Sequence, residues 1–279
     1  FWPMPQYRNI IAPNVNSVDG LWVPAEFDVS EADSAGVDVV IQVELACVAA
    51  TGKRLPFGFG TLIAVLASEG KKRAQCRLRS PIADLDAHEH VKLHGATQRL
   101  MTAALPLLAK LRRPALLLPG PLQAVVKAQR IEVADGEEYA GVWHEDGMGE
   151  HVVAVVLYYY RASPTLTGGA LEFCSKQRQA LWSGDGGGAD ASLENATELA
   201  SSLPRCQVPV KEGTLVVFSN YAAVHRVLRI AADRGDSGSR DFVAFFVIDQ
   251  RHPLPTPRTL PPRAQRMEAA RTMLAKQLQ

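Results

Sequence analysis

The sequence lacks several features that would point to common protein classes. No apolar run reaches the roughly eighteen residues that a membrane-spanning helix needs. Basic and acidic residues nearly balance, 30 against 29, so no overall charge favours nucleic acid or an anionic membrane as a partner. The four cysteines are far apart and form no CxxC or zinc-type spacing: Cys47, Cys76, Cys174 and Cys206. We expect reduced thiols in an intracellular protein that is cytoplasmic, with a nuclear location left open.

The N-terminal segment FWPMPQYRN has no charged-then-apolar signal pattern and does not begin with methionine. Such a start is typical of an artificial boundary or of a trimmed fragment, and both alternatives stay open. Its 279 residues, 47% of them hydrophobic, are enough to bury a substantial core. We predict a single catalytic domain over residues 1–279.

The hydrophobic pattern predicts an α+β fold. Alternating residues from Val37 to Cys47 and a hairpin of Thr61–Ala67 with Ala74–Arg79 indicate a β-rich N-terminal extension over 1–83. A helix is predicted over 84–113, with Leu93, Leu100, Ala104, Leu107 and Leu111 on one face. The short strands of a sandwich or barrel are predicted within 114–262, at 123–130, 152–160, 169–173, 215–218 and 242–248. A further helix is predicted over 263–279.

His144 and Asp146 are separated by one residue in the segment YAGVWHEDGMGEHVVAVVLYYY. In an extended chain, side chains at i and i+2 leave the same face, so the imidazole and the carboxylate can bind one metal ion. His225, which follows GTLVVFSNYAAV, is a candidate third ligand. Two histidines and one carboxylate on one face of an iron ion leave its other coordination positions open. The alternative is a polar strand end with an ordinary His–Asp hydrogen bond.

The order of the motifs resembles the 2-oxoglutarate/Fe(II)-dependent oxygenase superfamily. HxD is followed by GGxLxF, then GxLxxF and a histidine, and then an arginine before the last strand. The resemblance implies a double-stranded β-helix core, a jelly roll of the cupin-like kind. It also implies that His144, Asp146 and His225 bind Fe(II). The reaction would consume 2-oxoglutarate and O₂, with ascorbate as a possible support, and would hydroxylate or otherwise oxidise a C–H bond.

The same resemblance implies a binding site for the distal carboxylate of 2-oxoglutarate. Arg240 takes that role, because a guanidinium matches a carboxylate bidentately and stays charged. The loop from His225 to Arg240 is longer than in many members, so Arg226 and Arg229 are the alternatives, and a surface role for Arg240 stays open. Tyr159 aligns with a tyrosine that assists the carboxylate, and alternation places it opposite Tyr158 and Tyr160.

A closer resemblance covers roughly Leu118 to Pro262, through LPGPLQAVVKAQRIEV, WHxDGM, KEGTLVVF and FFVIDQRHPLPTPRTLPP. These segments look like a family of unknown function best known from fungi and plants. Glu usually stands in that family where this chain has Asp146, and either carboxylate binds iron. Two other classes remain as alternatives: a catalytically silent jelly-roll binding module, and a cupin-like metalloenzyme that does not use 2-oxoglutarate.

Two other polar clusters have simpler explanations. His90 and His94 are one helical turn apart, with His88 nearby, but no HExxH carboxylate accompanies them, so a solvated helix start is predicted. The basic residues between Lys71 and Arg79 are not interleaved with stacking aromatics, which favours a charged hairpin over a nucleic-acid site. We expect the substrate to be a small molecule or a protein side chain rather than nucleic acid.

Overall fold

The computed structural model describes most of the chain between residues 73 and 261, together with shorter parts outside it. The described residues are 8–11, 22–32, 47–48, 73–83, 85–111, 116–147, 149–175, 205–261, and positions 265, 268, 269, 272 and 276. None of the helices in these ranges has the length and apolarity needed to span a bilayer.

The elements are mostly strands around one long helix. Before the helix come β1 (Arg8–Ile11), β2 (Ala25–Ala32), β3 (Cys47–Val48) and β4 (Arg73–Leu78). The helix is α1 (Val91–Leu108). After it come β5 (Gly120–Val133), β6 (Glu138–Tyr139), β7 (Val152–Ala162), β8 (Leu166–Gly168), β9 (Leu171–Ser175), β10 (Arg205–Val208), β11 (Leu215–Ser219), β12 (Ala223–Val227), β13 (Ile230–Ala232) and β14 (Gly238–Ile248).

These strands form three antiparallel sheets. The large sheet has the order β11-β7-β14-β5-β2-β4, with β1 also paired to β5. A small sheet has the order β12-β9-β10-β3, and β6, β13 and β8 form the third. The structure therefore confirms a mostly antiparallel β architecture with one long helix packed on it.

The long strands of the large sheet are buried on both faces. On β14, Val243, Phe245 and Val247 face α1 and belong to what we call the helix-side core. The residues between them, Ala244 and Phe246, face the small sheet and belong to the inner core. Because side chains alternate along a strand, each central strand contributes to both cores at once.

The tyrosines of β7 follow the predicted alternation. Tyr158 packs against the helix-side core, whereas Tyr159 is buried in the inner core. Tyr160 is 37% exposed near the end of the strand. The prediction that Tyr159 faces away from its two neighbours is confirmed.

The helix predicted over 84–113 is shorter than expected, because α1 begins at Val91 and ends at Leu108. Asp86 accepts hydrogen bonds from the backbone N–H groups of His88 and Glu89, which holds the preceding residues in turns. At the other end, Lys110 and Leu111 donate to carbonyls three residues back, so the last turn tightens. Of the predicted apolar face, Ala104 and Leu107 are buried, whereas Leu93 is 39% exposed and is the part that was wrong. The buried residues of the helix are Thr97, Met101, Ala104, Leu105, Leu107 and Leu108.

The predicted strands of the core are confirmed, with shifts at their ends. The strand expected at 169–173 begins at Leu171, because Gly168 and Gly169 have positive φ and form a turn. The hairpin partner after residue 72 is present as β4, but 33–46 and 61–72 lie outside the described residues, as do 176–204. In the predicted C-terminal helix, the described positions 265, 268, 269, 272 and 276 are helical.

Candidate metal centre

His144 and His225 are brought together by their own backbones. They form an isolated antiparallel bridge in which the N–H of each donates to the carbonyl of the other, at 3.0 and 3.1 Å. Residues exchanging both hydrogen bonds are directly opposed, so their side chains leave the same face. The two ring centroids are 4.2 Å apart. His144 and His225 are therefore neighbours in the fold although they are far apart in the sequence.

Asp146 completes a cluster of three metal-ligating side chains. Its Oδ1 lies 3.9 Å from His144 Nε2 and its Oδ2 lies 3.6 Å from His225 Nε2. All three donor atoms lie within 4.8 Å of one another. Ligand atoms about 2.1 Å from one metal ion are about 3 Å apart at right angles and about 4.2 Å apart across the metal. The spacing therefore fits a shared ion after a small side-chain adjustment.

The hydrogen bond of His144 indicates which of its ring nitrogens carries the proton. Nδ1 lies 2.9 Å from the carbonyl oxygen of Val142, which can only accept, so Nδ1 carries the proton. Nε2 then keeps its lone pair and is the atom that faces Asp146. A ligating histidine normally donates its other N–H to such a partner.

The two histidines differ in exposure. The His144 side chain is 44% exposed, whereas His225 is 6% exposed and packs on Phe218 and Phe173, with centroid distances of 4.8 and 6.0 Å. Within the described residues, the centre is therefore more exposed on the His144 side, and aromatic rings cover it on the His225 side.

Asn220 holds the segment that carries Asp146. Its side-chain oxygen accepts from the N–H of Asp146 at 3.2 Å, and its amide donates to the carbonyls of Asp146 and Val152 at 2.6 and 3.0 Å. Asn220 is buried, at 2% exposure. It thereby fixes the ligand-bearing loop at the start of β7.

Arg240 is buried in the wall of the inner core. Its guanidinium donates to the carbonyl of Gly169 and to that of Gly168 at 3.2 Å, in the turn before β9. A Cβ on Gly169 would lie 2.5 Å from Nη1 of Arg240, so this turn needs glycine for space as well as for its φ of 72°. No described carboxylate pairs with Arg240, and burial lowers its pKa.

Tyr159 lies beside Arg240, whose guanidinium carbon is 5.9 Å from the centre of the tyrosine ring. Phe242 packs on the other part of the ring with a centroid distance of 5.3 Å. Burial raises the pKa of Tyr159, so its hydroxyl stays protonated at neutral pH. The structure therefore places two predicted residues, Arg240 and Tyr159, together.

The two alternative arginines have acidic partners. Arg226 donates to Glu172 at 2.7 Å and stacks over Trp143 at 4.6 Å. Arg229 is 68% exposed and forms an ion pair with Glu138. Both guanidinium charges are thus already matched within the protein, which favours Arg240 for an external carboxylate.

The histidines near α1 do not form a comparable cluster. His94 places Nδ1 3.1 Å from the carbonyl of His90 and Nε2 3.5 Å from the N–H of Ile82. Within the described residues, His144, Asp146 and His225 are the group that could hold a metal ion.

Sequence reasoning missed three polar residues near the centre: Lys127, Gln129 and Asn220. Lys127 and Gln129 lie on β5 on either side of Ala128, which belongs to the helix-side core, and this alternation becomes informative once the pairing of β5 is known. Asn220 follows β11 in a turn, and its partners in the Asp146 loop are not visible in the sequence.

Comparison with protein families gives one match, over residues 118–271, to a family described as protein of unknown function (DUF4246). The match covers more than half of the chain. The chain belongs to this family. The DUF4246 description assigns no activity, and no curated protein matches the chain.

Solved structures resemble this DUF4246 chain distantly. IDO from Bacillus thuringiensis is 13% identical, over 56% of this chain and 58% of that one, with a TM-score of 0.39. An oxidoreductase of the 2OG-Fe(II) oxygenase family from Burkholderia pseudomallei is 11% identical, over 70% and 74%, with a TM-score of 0.36. A Pseudomonas putida prolyl-4-hydroxylase is 15% identical, over 61% and 70%, with a TM-score of 0.29. Likeness this distant transfers no activity to the DUF4246 chain.

Proposed function

We propose that this protein is an Fe(II)- and 2-oxoglutarate-dependent oxygenase that oxidises a C–H bond and releases succinate and CO₂. The observation that carries the proposal is a cluster of two histidines and one carboxylate in a protein that also buries an arginine with no described acidic partner. The cluster suits a metal ion with open positions, and the arginine suits a dicarboxylate.

The strand order supports a double-stranded β-helix as the finer description of the fold. From β5 onward the chain alternates between sheets: β5 and β7 lie in the large sheet, β9 and β10 in the small one, β11 in the large, β12 in the small and β14 in the large. The bridge at His144 extends the small sheet beside β12. The candidate metal ligands lie at the edge of the small sheet.

His144 Nε2, Asp146 and His225 Nε2 would hold the metal ion. The donor set of two imidazoles and one carboxylate is the set associated with non-haem Fe(II) oxygenases, whereas structural zinc sites use four closed ligands. When bound, Fe(II) with 2-oxoglutarate and O₂ supplies the oxidising chemistry. Asn220 and the His144–His225 bridge hold the ligands in position before the metal arrives.

Arg240 would bind the distal carboxylate of 2-oxoglutarate. A buried guanidinium is costly without an anion, and the glycine carbonyls provide only partial compensation. Because the carbonyls of Gly168 and Gly169 hold its N–H groups from one side, the fork is fixed in orientation. Tyr159, protonated and buried beside it, would donate the second hydrogen bond to the same carboxylate.

The experiment that tests the proposal measures succinate after anaerobic loading with Fe(II), addition of 2-oxoglutarate and ascorbate, and exposure to O₂. We expect slow succinate formation without a primary substrate, lost in His144→Ala and in Arg240→Met. His88→Ala is the matched control, since this exposed histidine lies outside the cluster.

Two outcomes would redirect the proposal. Metal binding without 2-oxoglutarate affinity would indicate a cupin-like metalloenzyme with another co-substrate. Retained folding with neither metal binding nor turnover would indicate a catalytically silent binding module.

The remaining aspects of the proposal concern the whole chain. We propose one catalytic domain over residues 1–279, a cytoplasmic location with a nuclear one left open, and a small-molecule or protein side-chain substrate. Cys76, Cys174 and Cys206 are buried, and burial raises the pKa of the Cys76 thiol to about 12.

A further inference from the structure

Lys127 lies in the middle of β5 and points into the space between the two main sheets. Its neighbours Val126 and Ala128 belong to the helix-side core, while Val125 belongs to the inner core. Side chains at i and i+2 share a face in a strand, so Lys127 leaves the same face as Val125. This lysine therefore lies on the inner face of the sheet and is half-buried.

The row of residues across the sheet at Lys127 is otherwise apolar. Lys127 pairs with Ala244 of β14, Ala244 with Leu157 of β7, and Leu157 with Val216 of β11. All three partners belong to the inner core. An ammonium group in such surroundings needs an anion or a polar contact to offset its lost hydration.

Gln129 lies next to Lys127 on the same face and is 8% exposed. Its side chain makes no hydrogen bond to any residue that the structure describes. Its amide is therefore available to a ligand that reaches this face of the sheet. Lys127 and Gln129 together present ammonium and amide donors on one part of the inner face.

Lys127 and Arg240 occupy different rows of one wall. In the pairing of β5 with β14, Arg240 lies opposite Ile131, Phe242 opposite Gln129, and Ala244 opposite Lys127. Four residues along a strand correspond to about 13 Å of backbone. Lys127 and Arg240 are therefore far enough apart on the inner face to contact different groups of bound ligands.

The charge that faces Lys127 is the carboxylate of Asp146. Burial lowers the pKa of Lys127, and Asp146 partly opposes that shift. No described residue forms a hydrogen bond or an ion pair with the Lys127 ammonium. If Asp146 binds a divalent metal ion, the metal neutralises the carboxylate. Lys127 then lies near a net positive charge.

Charge balance then indicates a second anion. A divalent metal, Arg240 and Lys127 carry more positive charge than Asp146 and the two carboxylates of 2-oxoglutarate offset. Among the groups that the structure describes on this face, one positive charge is left over, on the same face as the amide of Gln129. This step depends on the proposed function, because it assumes a bound metal and 2-oxoglutarate.

We propose that Lys127 and Gln129 form a carboxylate-binding subsite, separate from Arg240, which binds an anionic group of the primary substrate. The substrate is therefore a carboxylic acid whose apolar part lies along Ala244, Leu157 and Val216. Lys127 determines which acids bind, while Arg240 binds the co-substrate.

The test uses protein loaded with Mn(II) in place of Fe(II), so that no turnover occurs. Affinities for Mn(II) and then for 2-oxoglutarate are measured by calorimetry. Butyrate, hexanoate and N-acetylleucine are then added, each beside its neutral amide, and binding near the metal is followed by the paramagnetic broadening of the probe's proton resonances.

We expect wild-type protein with bound 2-oxoglutarate to prefer at least one acid over its amide by about tenfold, an ordinary value for one charge-assisted contact. Lys127→Met removes the preference and Lys127→Arg retains much of it, while the 2-oxoglutarate affinity stays the same. Lys110→Met, which changes an exposed lysine, is the matched control. Unchanged thermal unfolding establishes that Lys127→Met is folded.

Three results would overturn the assignment. A fall in 2-oxoglutarate affinity in Lys127→Met, with no effect on the probes, would assign the subsite to the co-substrate instead. A change in Mn(II) affinity alone would make Lys127 only a counter-charge for Asp146. The absence of any acid preference in wild-type protein would remove the subsite. Failure of the proposed function itself is seen separately, as a lack of 2-oxoglutarate binding to wild-type protein.

Discussion

The two faces of the large sheet are built by the same strands, yet they contain different kinds of residue. On the helix side, β14 contributes Val243, Phe245 and Val247 to a core of aliphatic and aromatic side chains. On the inner side, the same sheet buries Arg240 and Gln129 beside Tyr159. Buried polar groups cost stability unless they are satisfied. The comparison shows that a buried charge on the helix side, Asp241, is paired with Arg130, whereas buried Arg240 on the inner side has no acidic partner among the described residues.

The largest effect on folding should come from the helix side. Phe245 is fully buried there and packs on Phe27 with a centroid distance of 6.5 Å. Phe245→Ala should lower the free energy of unfolding by about 3–5 kcal/mol, through lost burial and a cavity. Urea unfolding measures this, with Phe245→Leu as the milder control. If the metal affinity of folded Phe245→Ala fell as much as its stability, the two faces of the sheet would not have separate roles.

Arg240→Met should show the reverse behaviour. We expect 2-oxoglutarate affinity to fall by about 2–4 kcal/mol, since a buried charge-assisted contact is removed. Stability should be unchanged or slightly higher, because a buried guanidinium is replaced by an apolar side chain. Calorimetry on Mn(II)-loaded protein and urea unfolding provide the two readouts. Arg229→Met, which alters an exposed ion pair, should change neither measurably.

Asn220→Ala should weaken metal binding without removing a ligand. The loop that carries Asp146 loses three hydrogen bonds, so the carboxylate is less well positioned. We expect Mn(II) affinity to fall by roughly 10–100-fold, as for other partners of metal ligands. Electron paramagnetic resonance of free Mn(II) measures it. A folded Asn220→Ala variant that kept the wild-type Mn(II) affinity would argue against a positioning role.

The smallest effect should lie at the end of β14, where Asp249 accepts hydrogen bonds from Arg251 at 2.6 and 2.9 Å. The Arg251 side chain holds the pKa of Asp249 down at about 2, below its ordinary 3.8. The resulting stabilisation is present above pH 4 and is lost as the pH falls toward 2. Asp249→Asn should therefore be slightly less stable than wild type at pH 7 and equal to it near pH 2. A constant difference across this range would contradict the titration.

Two of the three candidate metal ligands, His144 and Asp146, could be predicted from the sequence because their pattern is local. The i, i+2 spacing of His144 and Asp146 and the alternation at Tyr159 depend only on extended backbone geometry. The position of His225 opposite His144 depends on how the strands pair. The order of the motifs indicated His225 as a ligand but could not give its pairing partner. The helix start was wrong because the side chain of Asp86 competes for backbone N–H groups that the helix would use.

The choice among arginines required knowledge of their partners on other strands. Arg226 is matched by Glu172 of β9 and Arg229 by Glu138 of β6, and neither pairing follows from sequence distance. Lys127 was missed because a lysine in a strand is usually solvated. Only the register of β5 against β14 identifies it as an inner residue.

The two backbone hydrogen bonds between His144 and His225 provide a way to follow metal binding. The amide proton of each histidine is hydrogen-bonded to the other residue, so both exchange with deuterium only when the bridge opens. An ion held by both imidazoles would keep the bridge closed. Exchange at these two amides should therefore slow on metal addition, which would measure occupancy in a protein whose substrate is unidentified.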